Sequence, residues 1–267
     1  MSHSGEGDPT SALADLGVEV LHSDARLFAG AARNRGLRLA TTDWVAFIDE
    51  DVIVDDGWHD ALLSAIARDD ADCIAGSVGS ATSGGYWGTS LWFAEFGSVH
   101  PYRPAGSLSA GATANLAVRR DILCSVGGFR EDWLTGEDAL AQAQLQERGY
   151  RICLAPAAAG GHVNLPGMNR MVRHSHRLGQ YSARVRRRHG HLTGAAAVRW
   201  PILSLGMWLA RPIQIYMRVL GTPNGPVSSL LWHTPGILLS VLAWNAGFAK
   251  EALGSREAEP DHTRQAT

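Results

Sequence analysis

Hydrophobic positions change their period along the chain, and each change predicts a different element. Gly17 to His22 (GVEVLH) reads as a strand, and Ala29 to Ala40 (AGAARNRGLRLA) reads as a helix. In that helix Leu37 and Ala40 lie on one side, while Arg33, Arg35 and Arg38 turn towards water. Trp44 to Ile48 (WVAFI) is a continuous apolar run, the pattern of a strand buried on both faces, and it stops abruptly at Asp49-Glu50-Asp51. Trp58 to Ala67 is helical in pattern, and Ala71 to Ser77 reads as the next strand. Ser80 to Gly111 is rich in Gly, Ser and aromatic residues without a clean period, so it predicts a long functional loop. Its Tyr86, Trp87, Trp92 and Phe93 either stack on the rings of a ligand or belong to the core. Regular structure resumes over Asn115 to Cys124, followed by a helix over Glu137 to Arg148 and a strand over Tyr150 to Ala155. The alternation predicts an α/β domain with a largely parallel sheet flanked by helices.

A second regime begins near Asn169. Between Arg170 and His191 stand seven arginines and four histidines without an acid. Two apolar stretches follow, Val198 to Leu220 and Val227 to Ala249. The second is 23 residues without a formal charge, long enough to cross a bilayer. The first carries Arg211 beside Pro212 in mid-run, which favours a position in the membrane interface. The alternative is two buried helices of a soluble domain. A basic segment beside these runs predicts the cytoplasmic face of the cell (inner) membrane, with the arginines towards anionic lipid. The expected divisions are a catalytic domain over 1–168, a basic membrane-associated appendage over 169–254, and a polar, disordered tail over 255–267.

Charge and cysteine content narrow the classes. The formal net charge of −2 gives no global pull towards nucleic acid, and none is expected as a partner. Lys250 is the sole lysine. Cys73, Cys124 and Cys153 are far apart, without C-x-x-C spacing, and read as ordinary buried thiols in a reducing compartment rather than a disulfide or zinc framework. The opening MSHSGEGDPTSALADLG lacks a basic region followed by an apolar run, so a secretory leader is not expected.

Two acidic clusters carry the candidate chemistry. Asp49 and Asp51 end an apolar strand two residues apart, so both carboxylates can face one spot beyond the sheet edge. Hard oxygen ligands of this kind suit Mg²⁺ or Mn²⁺, whereas an idle, solvated acidic turn is the competing explanation. Glu137 and Asp138 follow Gly136 at a helix start, where acids also serve as ordinary N-terminal caps.

Together these stretches resemble family-2 glycosyltransferases of the GT-A, Rossmann-related fold. The run GAARNRGLRLATTDWVAFIDEDV, Gly30 to Val52, is similar to the family's helix, strand and D-x-D turn. GATANLAVRRDILCSVGGFREDWLTGEDALAQAQLQERGYRI, Gly111 to Ile152, resembles its acceptor-side block. The resemblance implies transfer of a single sugar, with inversion, from a UDP- or GDP-linked donor to a cell-surface glycan or lipid-linked acceptor. It implies Asp138 as general base with Glu137 in support, and Asp49, Arg33 and Asn34 on the donor side. It further implies Asp51, Asp49 and His162 at a divalent metal, with Trp133 and Asn115 towards the acceptor. Family members begin with two strands that hold the nucleotide base. Ser4 to Leu13 resembles the segment just after those strands, so the chain is expected to be N-terminally truncated, or its start to lie too far downstream. A catalytically impaired membrane remnant or scaffold subunit is the alternative function.

Overall fold

The computed structural model describes residues 17–82 and 84–254, apart from the side chains of Thr82 and Leu205. Six strands form one sheet: β1 Trp44–Ile48, β2 Val52–Val54, β3 Cys73–Thr82, β4 Gly106–Ser107, β5 Asn115–Arg119 and β6 Ile152–Val163. The strand order is β1-β5-β3-β6-β2, with β4 added alongside β6. Only β3 and β6 run parallel, since β5 lies antiparallel between β1 and β3, and β2 and β4 run against β6. The sheet is therefore mixed, not largely parallel. The expectation failed because it took each β–helix–β step as a same-direction crossover, whereas β5 enters from the opposite end and fills the gap between β1 and β3.

The helices are α1 Ala29–Leu39, α2 Trp58–Ala67, α3 Gly85–Phe96, α4 Arg120–Ser125, α5 Glu137–Glu147 and α6 Met168–Arg188. Then come α7 Ala196–Arg199, a 3₁₀ turn at Pro201–Leu203, α8 Ser204–Leu220, α9 Val227–Trp232 and α10 Thr234–Leu253. Residues 1–16 and 255–267, which include the Ser4–Leu13 segment and the expected tail, lie outside the described residues.

Three further expectations change. Gly17 to His22 is not a strand, since it finds no strand partner among the described residues and leaves Val18 and Leu21 exposed. The Ser80–Gly111 stretch is not a loop but contains α3. Ser90, Leu91, Trp92, Phe93 and Phe96 of that helix are all buried, so its apolar residues cover every side and leave no amphipathic period to detect. Trp92 and Phe93 are thus core, not sugar platforms. Finally, β1 buries only Phe47 fully, because one of its edges lacks a neighbour among the described residues.

The C-terminal helices are not a separate appendage. Ile215, Val219, Leu230, Ile237 and Val241 share one hydrophobic core with Phe93, Leu116 and Leu154. The 23-residue apolar run is broken at His233 into α9 and α10, and α10 buries Ile237, Val241, Trp244 and Phe248 against α6, α3 and α8. Among the described residues no helix is long and apolar enough to cross a membrane. The run is apolar on two sides, burying Leu230, Ile237, Val241 and Phe248 in the core while leaving Leu231, Trp232 and Leu242 exposed.

Candidate functional site

The first acidic cluster owes its shape to β2. After β1 ends, the chain turns at Asp49–Asp51, closed by Val52 N–H donating to the Asp49 carbonyl at 3.0 Å. It returns as β2, pairing Val52 with His162 of β6. Val163 N–H donates to the Asp51 carbonyl at 2.7 Å. This pairing carries Asp51 to His162, whose Nε2 lies 3.3 Å from Asp51 Oδ2. His162 Nδ1 lies 3.2 Å from Asn164 Oδ1, and Asn164 in turn donates to Ser80 Oγ at 2.6 Å. The contact at Nδ1 orients the ring and turns Nε2 towards Asp51. The His162 hydrogen bond is the largest influence on Asp51 and holds its carboxyl below the usual range despite partial burial. Burial pulls His162 down, but the Asp51 hydrogen bond and charge outweigh it and raise the imidazole.

Asp49 goes elsewhere. Its Oδ1 accepts from Arg33 at 2.6 Å, and the other arm of the same guanidinium donates to Glu137 Oε1. Arg33 of α1 thus ties the D-x-D turn to the start of α5. This close approach depends on Gly30, where a Cβ would stand 2.2 Å from the Arg130 carbonyl oxygen. Glu137 is buried, and its carboxyl is pushed up to about 7, first by that burial and then by the neighbouring Asp138 charge, against the pull of Arg33. Asp138 accepts from Thr113 Oγ1 at 3.2 Å. Gly136, in the left-handed region at φ 80°, makes the turn that starts α5.

Asp49, Asp51, Glu137, Asp138, Arg33 and His162 all line one cavity of about 560 Å³. A second hollow of about 490 Å³, between the Arg26–Ala29 segment and the D-x-D turn, shares Arg33, Asp49 and Asp51 with it. The expected convergence of Asp49, Asp51 and His162 on one point is not seen, because Asp49 is held by Arg33. The Asp51 oxygen and the His162 nitrogen do form a two-ligand set open to the cavity. Such a set fits Mg²⁺ or Mn²⁺, which keep several waters and substrate phosphates as ligands. Among the described residues three ligating side chains do converge at Glu147, His189 and His191, where Glu147 Oε1 lies 2.7 and 3.0 Å from the two Nδ1 atoms. That cluster sits at the opposite end of α5 from Glu137.

Three expected site residues turn out to be scaffold. Asn34 is buried, exchanging hydrogen bonds with Phe129 N–H and carbonyl at 2.9 and 2.8 Å, and so pins α1 to the loop before α5. Asn115 is buried, donating to the Ser77 and Ala158 carbonyls at 3.0 and 2.8 Å and accepting from Trp58 Nε1 at 3.0 Å. Trp133 is buried beside Tyr181, with Arg188 5.0 Å above its ring. Neither Asn115 nor Trp133 is among the residues that line the cavity described above.

Glu95 and His174, paired at 3.2 Å, also line the cavity, and sequence reasoning misses both. Glu95 lies in the stretch that reads as a loop, and His174 is one basic residue among many in α6.

Residues 7–126 match the family described as Glycosyl transferase family 2. The chain is 28% identical over 219 residues to the pre-mycofactocin glycosyltransferase of Mycobacterium tuberculosis, covering 76% of this chain and 46% of that protein. It is 26% identical over 150 residues to glycosyltransferase AglE of Haloferax volcanii, covering 56% of this chain and 49% of that one. The chain thus spans about half the length of the curated relatives it matches. In structure it is similar to the mannosyltransferase PcManGT of Pyrobaculum calidifontis, determined with GDP-Man and Mn²⁺. The TM-score is 0.58 and the identity 19%, over 92% of this chain and 75% of the other, a likeness of fold.

Proposed function

We infer that this chain, whose residues 7–126 belong to glycosyl transferase family 2, moves one sugar from a nucleoside-diphosphate donor to a cell-surface glycan or lipid-linked acceptor. The observation that carries this reading is a single cavity joining the D-x-D turn to the Glu137–Asp138 pair, with Arg33 bridging them. A bound divalent ion supplies charge neutralisation for the departing diphosphate. Asp51 and His162 would hold that ion, and Asp49 with Arg33 forms the donor wall. Asp138 takes the proton of the acceptor hydroxyl. Glu137, its carboxyl raised by burial to about 7, carries only part of its negative charge near pH 7 and so limits the charge close to Asp138. One acid group on each side of the anomeric carbon suits a single displacement with inversion, which anomeric NMR of the product tests directly.

The protein works at the cytoplasmic face of the cell membrane. This is supported by the outer side of α8, where Leu209, Ile213 and Met217 recur every fourth residue and are each more than half exposed, together with exposed Trp200 and Trp232. A helix that lies in the interface needs no spanning segment.

The deciding experiment is calorimetric titration of UDP and GDP with Mn²⁺ into the wild-type chain and an Asp51→Ala variant. Metal-dependent binding that disappears in the variant supports the reading. Metal-independent binding, or none at all, leaves a catalytically impaired membrane scaffold as the better account.

A further inference from the structure

Part of the cavity wall is cationic. Arg211 and Arg218 of α8 and Arg186 of α6 line it. Among the described residues neither Arg211 nor Arg218 has a carboxylate partner. Arg211 lies 4.1 Å above the Trp244 ring, and its Nε is sealed from solvent without a hydrogen-bond partner. Arg186 is held by the Ser182 side chain and by the Thr193 carbonyl at 2.9 Å, which fixes its position without neutralising it. The nearest acid on that side, Glu95, is already engaged by His174. Burial, and then the charges of Arg186 and Arg218, press the Arg211 guanidinium down to about 10. A secluded cationic group without a counter-charge is costly unless a ligand brings one.

The placement of α8 adds a second clue. The helix sends apolar residues to two sides, with Ile215 and Val219 in the core and Leu209, Ile213 and Met217 facing solvent, while Arg211 and Arg218 line the cavity. The same helix thus offers cations to the cavity and an apolar surface on its outer side.

We propose that Arg186, Arg211 and Arg218 form a subsite for the phosphate or carboxylate head of an amphipathic acceptor, whose hydroxyl then faces Asp138. The proposal rests on the glycosyl-transfer reading and narrows its acceptor class to anionic molecules with an apolar tail. The anion neutralises the arginine wall while the acidic wall holds the metal and donor. This division of charge keeps an acidic acceptor from competing for the metal site.

Dodecyl phosphate is the probe, with Trp244 beneath Arg211 as the fluorescent reporter, in the full chain and in Arg211→Met and Arg218→Gln variants. Methionine keeps the stem packed on Trp244 while removing the charge. The expected result is saturable binding to wild type, at least ten-fold weaker in Arg211→Met, and weaker still for dodecyl maltoside, which has the tail without the charge. Dodecyl phosphate should also raise the Tm of wild type but not of Arg211→Met, whose own Tm without ligand should equal or exceed that of wild type. Equal affinity of both proteins for dodecyl phosphate overturns the subsite, as does equal affinity of wild type for the two detergents. Inorganic phosphate binding as tightly as dodecyl phosphate, with the same dependence on Arg211, overturns the amphipathic acceptor in favour of a free anion. Arg211-dependent binding confined to phosphatidylglycerol vesicles overturns it in favour of a bilayer headgroup contact. Failure of the glycosyl-transfer reading is seen separately, in the calorimetry of nucleotide and Mn²⁺ with wild type.

Discussion

Replacing Glu137 by Gln should stabilise the protein, and only above about pH 5. The carboxyl is raised from 4.5 to about 7 in the folded state, with burial as the main cause and Asp138 next. Its side chain is 5% exposed, so solvent screens little of the effect. Between these two values the folded protein holds a proton that the unfolded chain has released. Stability from this group is therefore fully present below pH 4.5 and is lost as pH rises through about 7. At 1.36 kcal/mol per unit, the loss is about 3 kcal/mol by pH 8. Glutamine imitates the protonated acid and carries no such loss. Urea denaturation of wild type and Glu137→Gln at a series of pH values should give matching stabilities near pH 4.5. By pH 8 the variant should lead by up to about 3 kcal/mol, or roughly 6–12 °C in Tm for a domain of this size. Adding Asp138→Asn to wild type should move the window to lower pH, because it removes the second cause. A Gln variant that is less stable than wild type at pH 8, or a difference that ignores pH, would refute the reasoning, and the Arg33 pair would then dominate Glu137.

Other positions test the scaffold and the surface. Asn115→Ala strips the Ser77 and Ala158 carbonyls and the Trp58 indole of their partner, and should cost about 3 kcal/mol in urea denaturation, while a loss under about 1 would contradict its role as a lock. Gly30→Ala places a methyl group against the Arg130 carbonyl and should cost about 1–3 kcal/mol while weakening nucleotide binding through Arg33; calorimetry showing unchanged binding would separate α1 from the site. An Ile213→Glu, Met217→Glu double variant should no longer float with anionic vesicles that capture wild type, and undiminished flotation would rule out the outer side of α8 as the docking surface.

Much of the fold was legible where one local rule decided the outcome. The Ala29–Leu39 and Trp58–Ala67 helices, the WVAFI strand and the Glu137 helix all follow from period and from the residues that bound them. Asp51, Glu137, Asp138 and His162 line one cavity, a grouping that period and spacing do not state and that only the family resemblance implied. The hidden part depends on neighbours. Strand direction follows from which strand fills a gap, and nothing within Asn115–Arg119 states that it runs against both neighbours. Helix α3 is apolar on all sides and so looks aperiodic, and α10 buries Ile237, Val241, Trp244 and Phe248 in the fold, a use of apolar residues that composition cannot separate from a membrane span. Asn115 and Trp133 show the same limit in side chains, since a polar or aromatic group near a site serves a ligand or the core, and only packing decides which. Cys73 met the expectation of a buried thiol, whereas Cys124 lies exposed on the short α4.

The two longest helices, α6 and α10, meet at a pair of glycines. A Cβ on Gly179 would stand 1.9 Å from the Trp244 carbonyl oxygen, and one on Gly247 would stand 1.9 Å from that of His176. Main chain rests on main chain, so the spacing of these helices is fixed by atoms common to every residue and has no side chain that could yield. The Trp244 ring, which underlies Arg211, projects from the same turn that touches Gly179. The breadth of the cavity is thus set from outside it, by two positions that never meet a ligand, and a single added methyl group at either would act as a gauge on which molecules fit.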